Sequence, residues 1–192
     1  TFITNGFLQY VDLVAWGQDA NFYYSNAYVV FVNDNPEIEN DTLHYFSISE
    51  STVWNNDKPH VIYGLIVIEN GASLEIMEGT EVYLHHNSNL VVGELWYRSS
   101  DVPIKSSLKV LGNNSNRVLF TSDRLDEYYR DITGQWGRIW LTANSSENLI
   151  QNATIKNGTI GLHVDTVAND NNPTLRLENT IISNHSSYGI LA

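Results

Sequence analysis

Short apolar triplets separated by Asn, Gly and Ser dominate the chain from residue 61 onward. In three of them a charged residue stands between two apolar ones: Leu-Glu-Ile at residues 74–76, Leu-Lys-Val at 108–110 and Leu-Arg-Leu at 175–177. Because successive side chains of a strand point to opposite faces, this alternation predicts short strands with outer residues inward and the middle residue outward. Further triplets lie at residues 65–67, 82–84, 90–92, 118–120 and 139–141. Helical spacing is almost absent; the one helix-tolerant stretch, residues 124–130, lies in what we interpret as an excursion from the pattern.

An internal repeat is the strongest signal in the chain. Asn-Ala-Thr-Ile-Lys-Asn at residues 152–157 aligns with Asn-Thr-Ile-Ile-Ser-Asn at 179–184, an offset of 27 residues. A Gly-apolar step follows both copies, Gly161-Leu162 and Gly189-Ile190, at an offset of 28, and residues 137–141 resemble an earlier copy 24 residues upstream of Gly161. Periods of this length, built from short strands, indicate a solenoid or a propeller.

Strand length decides between these two architectures. A propeller blade needs four strands of about five residues joined by hairpins, whereas these triplets are separated by single polar corners. A parallel β-helix fits better, with two or three short strands per turn and successive turns stacked about 4.8 Å apart. We expect Asn, which occurs 23 times, at equivalent corners, where it tolerates the left-handed conformation and its amides stack between turns.

The first part of the chain differs in charge. Residues 1–57 hold eight acidic side chains and no Lys or Arg. Alternating runs at residues 28–32 and 45–48 flank an Asn-Asp-Asn-Pro turn signal and predict strands of a small antiparallel sheet. We therefore divide the chain into residues 1–53, an acidic β-strand cap or partial β-sandwich, and residues 54–192, a parallel β-helix truncated at its C-terminal end.

Composition excludes several functions. With 22 acidic and 10 scattered basic residues and a net charge of -12, neither nucleic acid nor an anionic membrane surface is an expected partner. Cysteine is absent, which excludes disulfides and thiol chemistry within this chain. We expect no membrane span, because no apolar run reaches about 18 residues. The chain starts at Thr1 and ends in the apolar residues 189–192; we interpret it as processed or incomplete. We expect its last turn to be followed by further turns, covered by a partner chain or disordered.

Several stretches resemble a known family. They are residues 54–64, 74–80 and 123–126, Gly134-Gln135-Trp136 with Ile139-Trp140-Leu141, the Asn-rich repeats after Asn152 and, less closely, residues 16–20. They are similar to the right-handed parallel β-helix repeat proteins of Bacteroidetes-type bacteria. The resemblance implies a right-handed coil and export, with a lipoprotein anchor at the outer-membrane surface. It carries no catalytic signature.

Two polar clusters are candidates for chemistry. Residues 123–131 alternate acidic, basic and aromatic side chains; they form either one wall of a groove or a solvated, self-paired surface loop. Lys156, His163, Asp165 and Asp170 lie on or beside successive turns and could converge as a base and metal ligands, although the pattern is a poor match to a calcium loop. The adjacent His85 and His86 point to opposite sides of a strand and are not expected to chelate a metal together.

Aromatic side chains concentrate between residues 96 and 140. If exposed, they would form a platform for sugar rings or an anchor for a protein partner; if buried, they would pack the insertions onto the coil. The candidates are Trp96, Tyr97, Tyr128, Tyr129, Trp136 and Trp140. Six Asn-x-Ser/Thr triplets also occur, but an Asn-rich coil produces them by chance, so glycosylation is not inferred.

These observations favour a non-enzymatic, exported surface module: a rigid β-helix scaffold that binds outer-membrane proteins or surface glycans. No catalytic residue, metal or cofactor is predicted. The alternative is a carbohydrate-active enzyme, a polysaccharide lyase or glycoside hydrolase, acting from a groove on the β-helix face. Two carboxylates about 5 to 10 Å apart in an open cleft beside a Lys, Arg or His would favour that alternative.

Overall fold

The computed structural model describes residues 9–11, 27–31, 45–95, 104–165 and 173–192. In these ranges the protein is an all-β, right-handed parallel β-helix with three sheets. Sheet I contains, in spatial order, β1 (Gln9–Val11), β2 (Ala27–Phe31), β5 (His60–Tyr63), β8 (Glu81–Leu84), β11 (Val118–Ser122), β14 (Ala153–Lys156) and β17 (Ile181–Ser183). Sheet II contains β4 (Thr52–Trp54), β7 (Ser73–Met77), β10 (Ser107–Leu111), β13 (Asn148–Gln151) and β16 (Leu175–Glu178). Sheet III contains β3 (Phe46–Ile48), β6 (Leu65–Ile68), β9 (Asn89–Val92), β12 (Ile139–Leu141), β15 (Ile160–Val164) and β18 (Tyr188–Leu191).

From β3 onward the chain visits sheets III, II and I in turn, and each strand pairs in parallel with the strand one turn away. This arrangement confirms the β-helix prediction. The inward and outward positions also follow the pattern. Leu74 and Ile76 are fully buried in the core, while the outward Glu75 lies 3.5 Å from Lys109 on the next turn. Burial of each such aliphatic side chain contributes about 1.5–3 kcal/mol, so the core is the main source of stability.

The offset of the sequence repeat equals the offset between paired residues on successive turns of the coil. Ile155 pairs with Ile182 at an offset of 27, and Leu162 pairs with Ile190 at an offset of 28. For the copy at residues 137–141 the structure differs from the sequence alignment by one residue. The alignment of Gly137 with Gly161 has an offset of 24, whereas Ile139 pairs with Leu162 at an offset of 23. The long excursion between β11 and β12 lies immediately before this copy and carries no repeat signal of its own, so the sequence alone did not fix the register there.

Asparagine occupies the corners, as predicted. Asn152, Asn157, Asn179 and Asn184 all adopt positive φ, between 43° and 70°. The amide of Asn184 donates to Oδ1 of Asn157 at 2.7 Å, and that of Asn179 donates to Oδ1 of Asn152. The short polar side chain therefore both allows the left-handed turn and joins one turn to the next.

The N-terminal strands agree with the expectation in part. β1 and β2 form an antiparallel pair, but β2 also pairs in parallel with β5. Phe46–Ile48, expected in the same antiparallel sheet, pairs in parallel with β6 instead. Its inward Phe46 and Ile48 extend the apolar core of the coil, and continuing that core buries more apolar surface than a separate small sheet would. The division of the chain at residue 54 stays a prediction.

Candidate binding surface

The β11–β12 connection, residues 123–136, is the excursion. It leaves the coil after β11, forms the 3-10 helix Glu127–Tyr129, and returns before β12. The helix-tolerant stretch of the sequence thus forms one short turn of helix, none of whose residues is buried.

A buried carboxylate fixes the start of the excursion. Asp123 is 5% exposed, its backbone N–H donates to the carbonyl of Leu84, and its Oδ2 lies 2.7 Å from Nδ1 of His85. A carboxylate only accepts, so His85 carries its proton on Nδ1 and donates it to Asp123. The His85 ring also stacks on Tyr63 at 4.5 Å. Residues of the two preceding turns of sheet I, at β5 and after β8, therefore hold the first residue of the excursion in place.

A buried tryptophan fixes the end of the excursion. Trp136 is 1% exposed, and its indole N–H donates to the carbonyl of Lys156 at 2.8 Å. Just before it, the backbone N–H groups of Gln135 and Gly134 donate to the carbonyls of Asn157 and Gly158. Both ends of the excursion are thus joined to the coil by hydrogen bonds and by packing.

Two side-chain amides hold the middle of the excursion. The Gln135 amide donates to the carbonyls of Tyr129 and Ile132, both at 2.7 Å. From the coil, the Asn157 amide donates to the carbonyl of Arg130 at 2.9 Å. Both residues are buried, and their amides satisfy the carbonyls of Tyr129, Arg130 and Ile132. The excursion is consequently preorganised on the coil.

The preorganised loop displays apolar side chains to solvent. Tyr128 is 76% exposed and Leu125 is 48% exposed. Tyr129 lies edge to face with Tyr128 at 5.0 Å, and the guanidinium of Arg124 lies 4.6 Å above the Tyr129 ring. Exposed Tyr and Arg side chains are enriched at protein-binding surfaces, where together with Trp they contribute much of the affinity.

Three charged side chains of the excursion pair with each other. Arg130 Nη1 lies 2.7 Å from Glu127 Oε1, and Arg130 Nε lies 3.2 Å from Asp131 Oδ2. All three side chains are largely exposed, and pairs of this kind contribute little to stability. This local pairing agrees with the solvated-loop interpretation of the polar residues; it leaves the apolar residues as the chemically distinctive part of the surface.

The structure separates the six aromatic candidates. Trp96 and Tyr97 lie outside the described residues. Trp136 is buried and packs the excursion onto the coil, so it does not belong to an exposed platform. Trp140 projects outward from sheet III but stacks on His163 at 5.4 Å with Arg138 at 4.8 Å from its ring. Of the four candidates that the structure describes, only Tyr128 and Tyr129 lie together on an accessible loop, and their binding role stays a prediction.

The second polar cluster is partly assembled. Asp165 Oδ1 lies 3.2 Å from Nε2 of His163, and Arg138 donates to Nδ1 of the same ring at 2.9 Å. Both ring nitrogens are therefore engaged, which suits a structural link between β12 and β15 better than a general base. Lys156 lies on β14 of sheet I, and Asp170 is outside the described residues. Within the described ranges, no three His, Asp or Glu side chains are grouped as a metal site.

Buried titratable side chains lie in the coil itself. Burial lowers the pKa of His60 to about 4, although its hydrogen bond to the Asn55 carbonyl and the charge of Asp57 act in the opposite direction. Burial also lowers the pKa of His185. Burial and the neighbouring Glu81 raise the pKa of Tyr83. Since perturbed pKa values arise in structural as well as catalytic groups, and His60 stacks on Trp54 at 4.6 Å, we assign these groups to packing.

Sequence reasoning missed the residues that fix the loop. The repeat predicts Asn157 only as a corner residue, whereas its amide also holds the carbonyl of Arg130. Gln135 and Asp123 lie in stretches that the family resemblance and the polar cluster include, but neither signal predicted their contacts. His85 and Asp123 are 38 positions apart and meet only in the coil, and Gln135 contacts Tyr129 and Ile132 only through the nonrepeating path of the excursion.

Comparison of the chain with protein-family models, with curated proteins and with solved structures finds no match. The resemblance to the Bacteroidetes-type proteins therefore stays an expectation. In the part of the chain that the structure describes, no helix has the length and apolar character needed to cross a membrane.

Proposed function

We propose that the protein is a non-enzymatic binding module, in which the β-helix is a rigid scaffold and the excursion is the surface offered to a protein partner. One observation carries the proposal: Leu125 and Tyr128 are exposed on a loop whose carbonyls are held by the buried amides of Gln135 and Asn157. A loop ordered before binding loses little conformational entropy on contact. The binding free energy of the exposed apolar side chains is then not reduced by the entropy cost of ordering the loop, as it would be for a mobile loop.

Export to the bacterial outer-membrane surface belongs to the same proposal. It rests on the family resemblance alone, and partners would accordingly be other surface proteins, with surface glycans as a second class. Protease treatment of intact cells tests it: accessible protein in unbroken cells supports surface exposure, whereas protection until lysis contradicts it.

Affinity capture from solubilised envelope tests the binding surface. We expect specific proteins to co-elute with the wild-type chain and to be reduced at least about tenfold with the Leu125→Ala/Tyr128→Ala variant, since hot-spot truncations cost about 2 kcal/mol or more. Val53 is a matched control, because it is 51% exposed on sheet II, away from the excursion in sequence and sheet. Val53→Ala should capture the same proteins as the wild type. Equal losses in both variants would contradict the proposal.

Among the described residues, one arrangement supports the enzymatic alternative: the buried Asp123 lies 2.7 Å from Nδ1 of the partly exposed His85. A carboxylate that orients a histidine is a common element of general-base catalysis. A screen on acidic and neutral polysaccharides decides between the two functions. We expect no depolymerisation; activity that Asp123→Asn abolishes and Asp131→Asn retains would replace the binding-module proposal with an enzyme.

A further inference from the structure

The corner between β6 and β7 carries an Asn-Gly pair on the surface of the coil. Asn70 is exposed, and both Asn70 and Gly71 have positive φ, 57° and 75°. A hydrogen bond from the backbone N–H of Ala72 to the carbonyl of Glu69, at 3.1 Å, closes this corner. No hydrogen bond joins the side-chain amide of Asn70 to another described residue. Its side chain is therefore free to rotate towards its own backbone.

A second Asn-Gly pair, Asn157 and Gly158, is held by the structure. Asn157 is 2% exposed and its amide donates to the carbonyl of Arg130, while its Oδ1 accepts from Asn184. The third pair of the chain, residues 5–6, lies outside the described residues. The two described pairs thus have the same covalent chemistry and opposite environments.

We propose that Asn70 is a site of spontaneous deamidation, with water as the only co-reactant. The backbone nitrogen of Gly71 loses its proton and attacks Cγ of Asn70. A new N–Cγ bond closes a cyclic succinimide, and the side-chain nitrogen takes up a proton and leaves as ammonia. Glycine favours this attack because it has no Cβ beside the nitrogen.

Water then opens the succinimide in one of two ways. Cleavage of the new N–Cγ bond gives aspartate with the original main chain. Cleavage of the bond between the carbonyl carbon of residue 70 and the nitrogen of Gly71 gives isoaspartate, whose main chain contains an additional carbon. Both products place a negative charge at the corner, and isoaspartate also lengthens it.

The buried Ser106 controls the rate of this reaction. Ser106 is 0% exposed, and its hydroxyl accepts the backbone N–H of Gly71 at 3.2 Å. While this bond is intact, the proton that must be lost is shielded from water, so attack requires the corner to open. An exposed corner opens at a lower free energy than the interior of the stack. The reaction therefore proceeds in the folded protein, and it does not involve the excursion or the proposed function.

Tandem mass spectrometry of proteolytic fragments, after incubation of the purified 192-residue chain at mildly alkaline pH, tests the proposal. We expect residue 70 to acquire the mass change of NH2 replaced by OH at least about tenfold faster than residue 157, because Asn157 is restrained inside the coil. Asn87 is a second internal control, since it is exposed at φ of 61° but is followed by Ser88. It should also react more slowly than Asn70.

Two serine variants test the control of the rate. Ser106→Ala should accelerate the reaction at residue 70 about twofold to tenfold, as expected for the loss of one hydrogen bond. Ser107→Ala is the matched control, because the Ser107 hydroxyl bonds to that of Ser73 instead; it should leave the rate unchanged. Circular dichroism verifies that both variants are folded.

The same measurement in urea separates structure from local sequence. In the unfolded chain both Asn-Gly pairs are free, so residues 70 and 157 should react at similar rates. A difference that persists in urea would overturn the structural argument. Equal rates at residues 70 and 157 in the folded protein, or equal effects of Ser106→Ala and Ser107→Ala, would overturn it as well.

Discussion

At the scale of single residues, polar side chains of the coil form its corners and donate hydrogen bonds to backbone carbonyls on other turns and in the excursion. Asn157 is buried, adopts φ of 70°, accepts from Asn184, and donates to the carbonyl of Arg130 and the hydroxyl of Thr121. One side chain thus combines a corner, a contact between turns and a support for the excursion. Arg117 is similar, since its guanidinium donates to the carbonyls of Ala153 and Asn179 on different turns.

Replacing Asn157 separates these roles. Asn157→Gly keeps the left-handed corner but removes the amide, and should lower the free energy of unfolding by about 1–3 kcal/mol through the unsatisfied Arg130 carbonyl. Asn157→Ala should cost about 1 kcal/mol more, because Ala is strained at positive φ. Urea denaturation of both variants measures the difference. Equal stabilities would show that the corner carries no strain.

The buried His60 makes stability depend on pH. Its pKa is about 4 in the fold, against 6.5 for an ordinary histidine. Between these values the unfolded chain binds a proton that the folded chain does not, so stability falls as pH falls from about 6.5 to 4. The full effect is about 3 kcal/mol, at 1.36 kcal/mol per pKa unit.

Comparison with His60→Phe isolates this effect, since Phe retains a ring for stacking on Trp54 and does not titrate. His185, whose pKa is also lowered, contributes equally to both proteins. We expect the unfolding free energy of the wild type to fall more steeply than that of the variant as pH decreases from 6.5 to 4. Parallel curves would exclude His60 as the source.

At the scale of elements, close stacking leaves no room for a side chain where backbones meet. Gly161 on β15 is buried, and a Cβ there would lie 2.5 Å from the carbonyl oxygen of Gly189 on β18. Gly189 is its equivalent one turn later, where a Cβ would meet only the Ile182 side chain at 3.4 Å. Among the described residues, a Cβ is therefore sterically excluded at Gly161 and tolerated at Gly189.

These two glycines form a matched pair of substitutions. Gly161→Ala should destabilise the protein by about 1–3 kcal/mol through overpacking against backbone. Gly189→Ala should change the unfolding free energy by less than about 0.5 kcal/mol, as is usual for open positions. Thermal unfolding at low concentration compares them. A loss in Gly189→Ala as large as that in Gly161→Ala would contradict this difference between the two positions.

At the scale of the whole molecule, the coil is a one-dimensional stack in which each turn is stabilised by its neighbours. An interior turn has two neighbours, whereas in the described residues the turn of β16, β17 and β18 has one. Stability in such a stack is a sum of turn and interface contributions, so the exposed turn opens most easily.

Hydrogen exchange should display this gradient. In dilute protein, amides of β16–β18 should exchange at least about 100-fold faster than those of β7–β10, because local opening at the end needs less free energy than opening of the interior. Uniform protection across the stack would contradict a nearest-neighbour description.

The sequence predicted much of the fold, but it did not predict which aromatic side chains are exposed at the surface. Alternation in the apolar triplets predicted the inward Leu74 and Ile76, and the repeated Asn-x-x-Ile-x-Asn predicted the register of β14 with β17. Both signals arise from backbone geometry that recurs each turn. Trp136 shows the limit of the sequence prediction. Trp136 and Tyr128 belong to the same aromatic cluster in the sequence, yet Trp136 is 1% exposed and Tyr128 is 76% exposed.

By itself, the sequence determined the all-β class, the stacked parallel coil and its Asn corners, because a two-residue side-chain period and a fixed turn length leave a periodic trace in the chain. Only the tertiary structure decided which side chains reach solvent, which carbonyls the amides of Gln135 and Asn157 hold, and that β3 continues the coil. Those outcomes depend on contacts between residues on different turns and in the nonrepeating excursion. Because each of these contacts occurs once in the chain, no periodic pattern in the sequence predicts it.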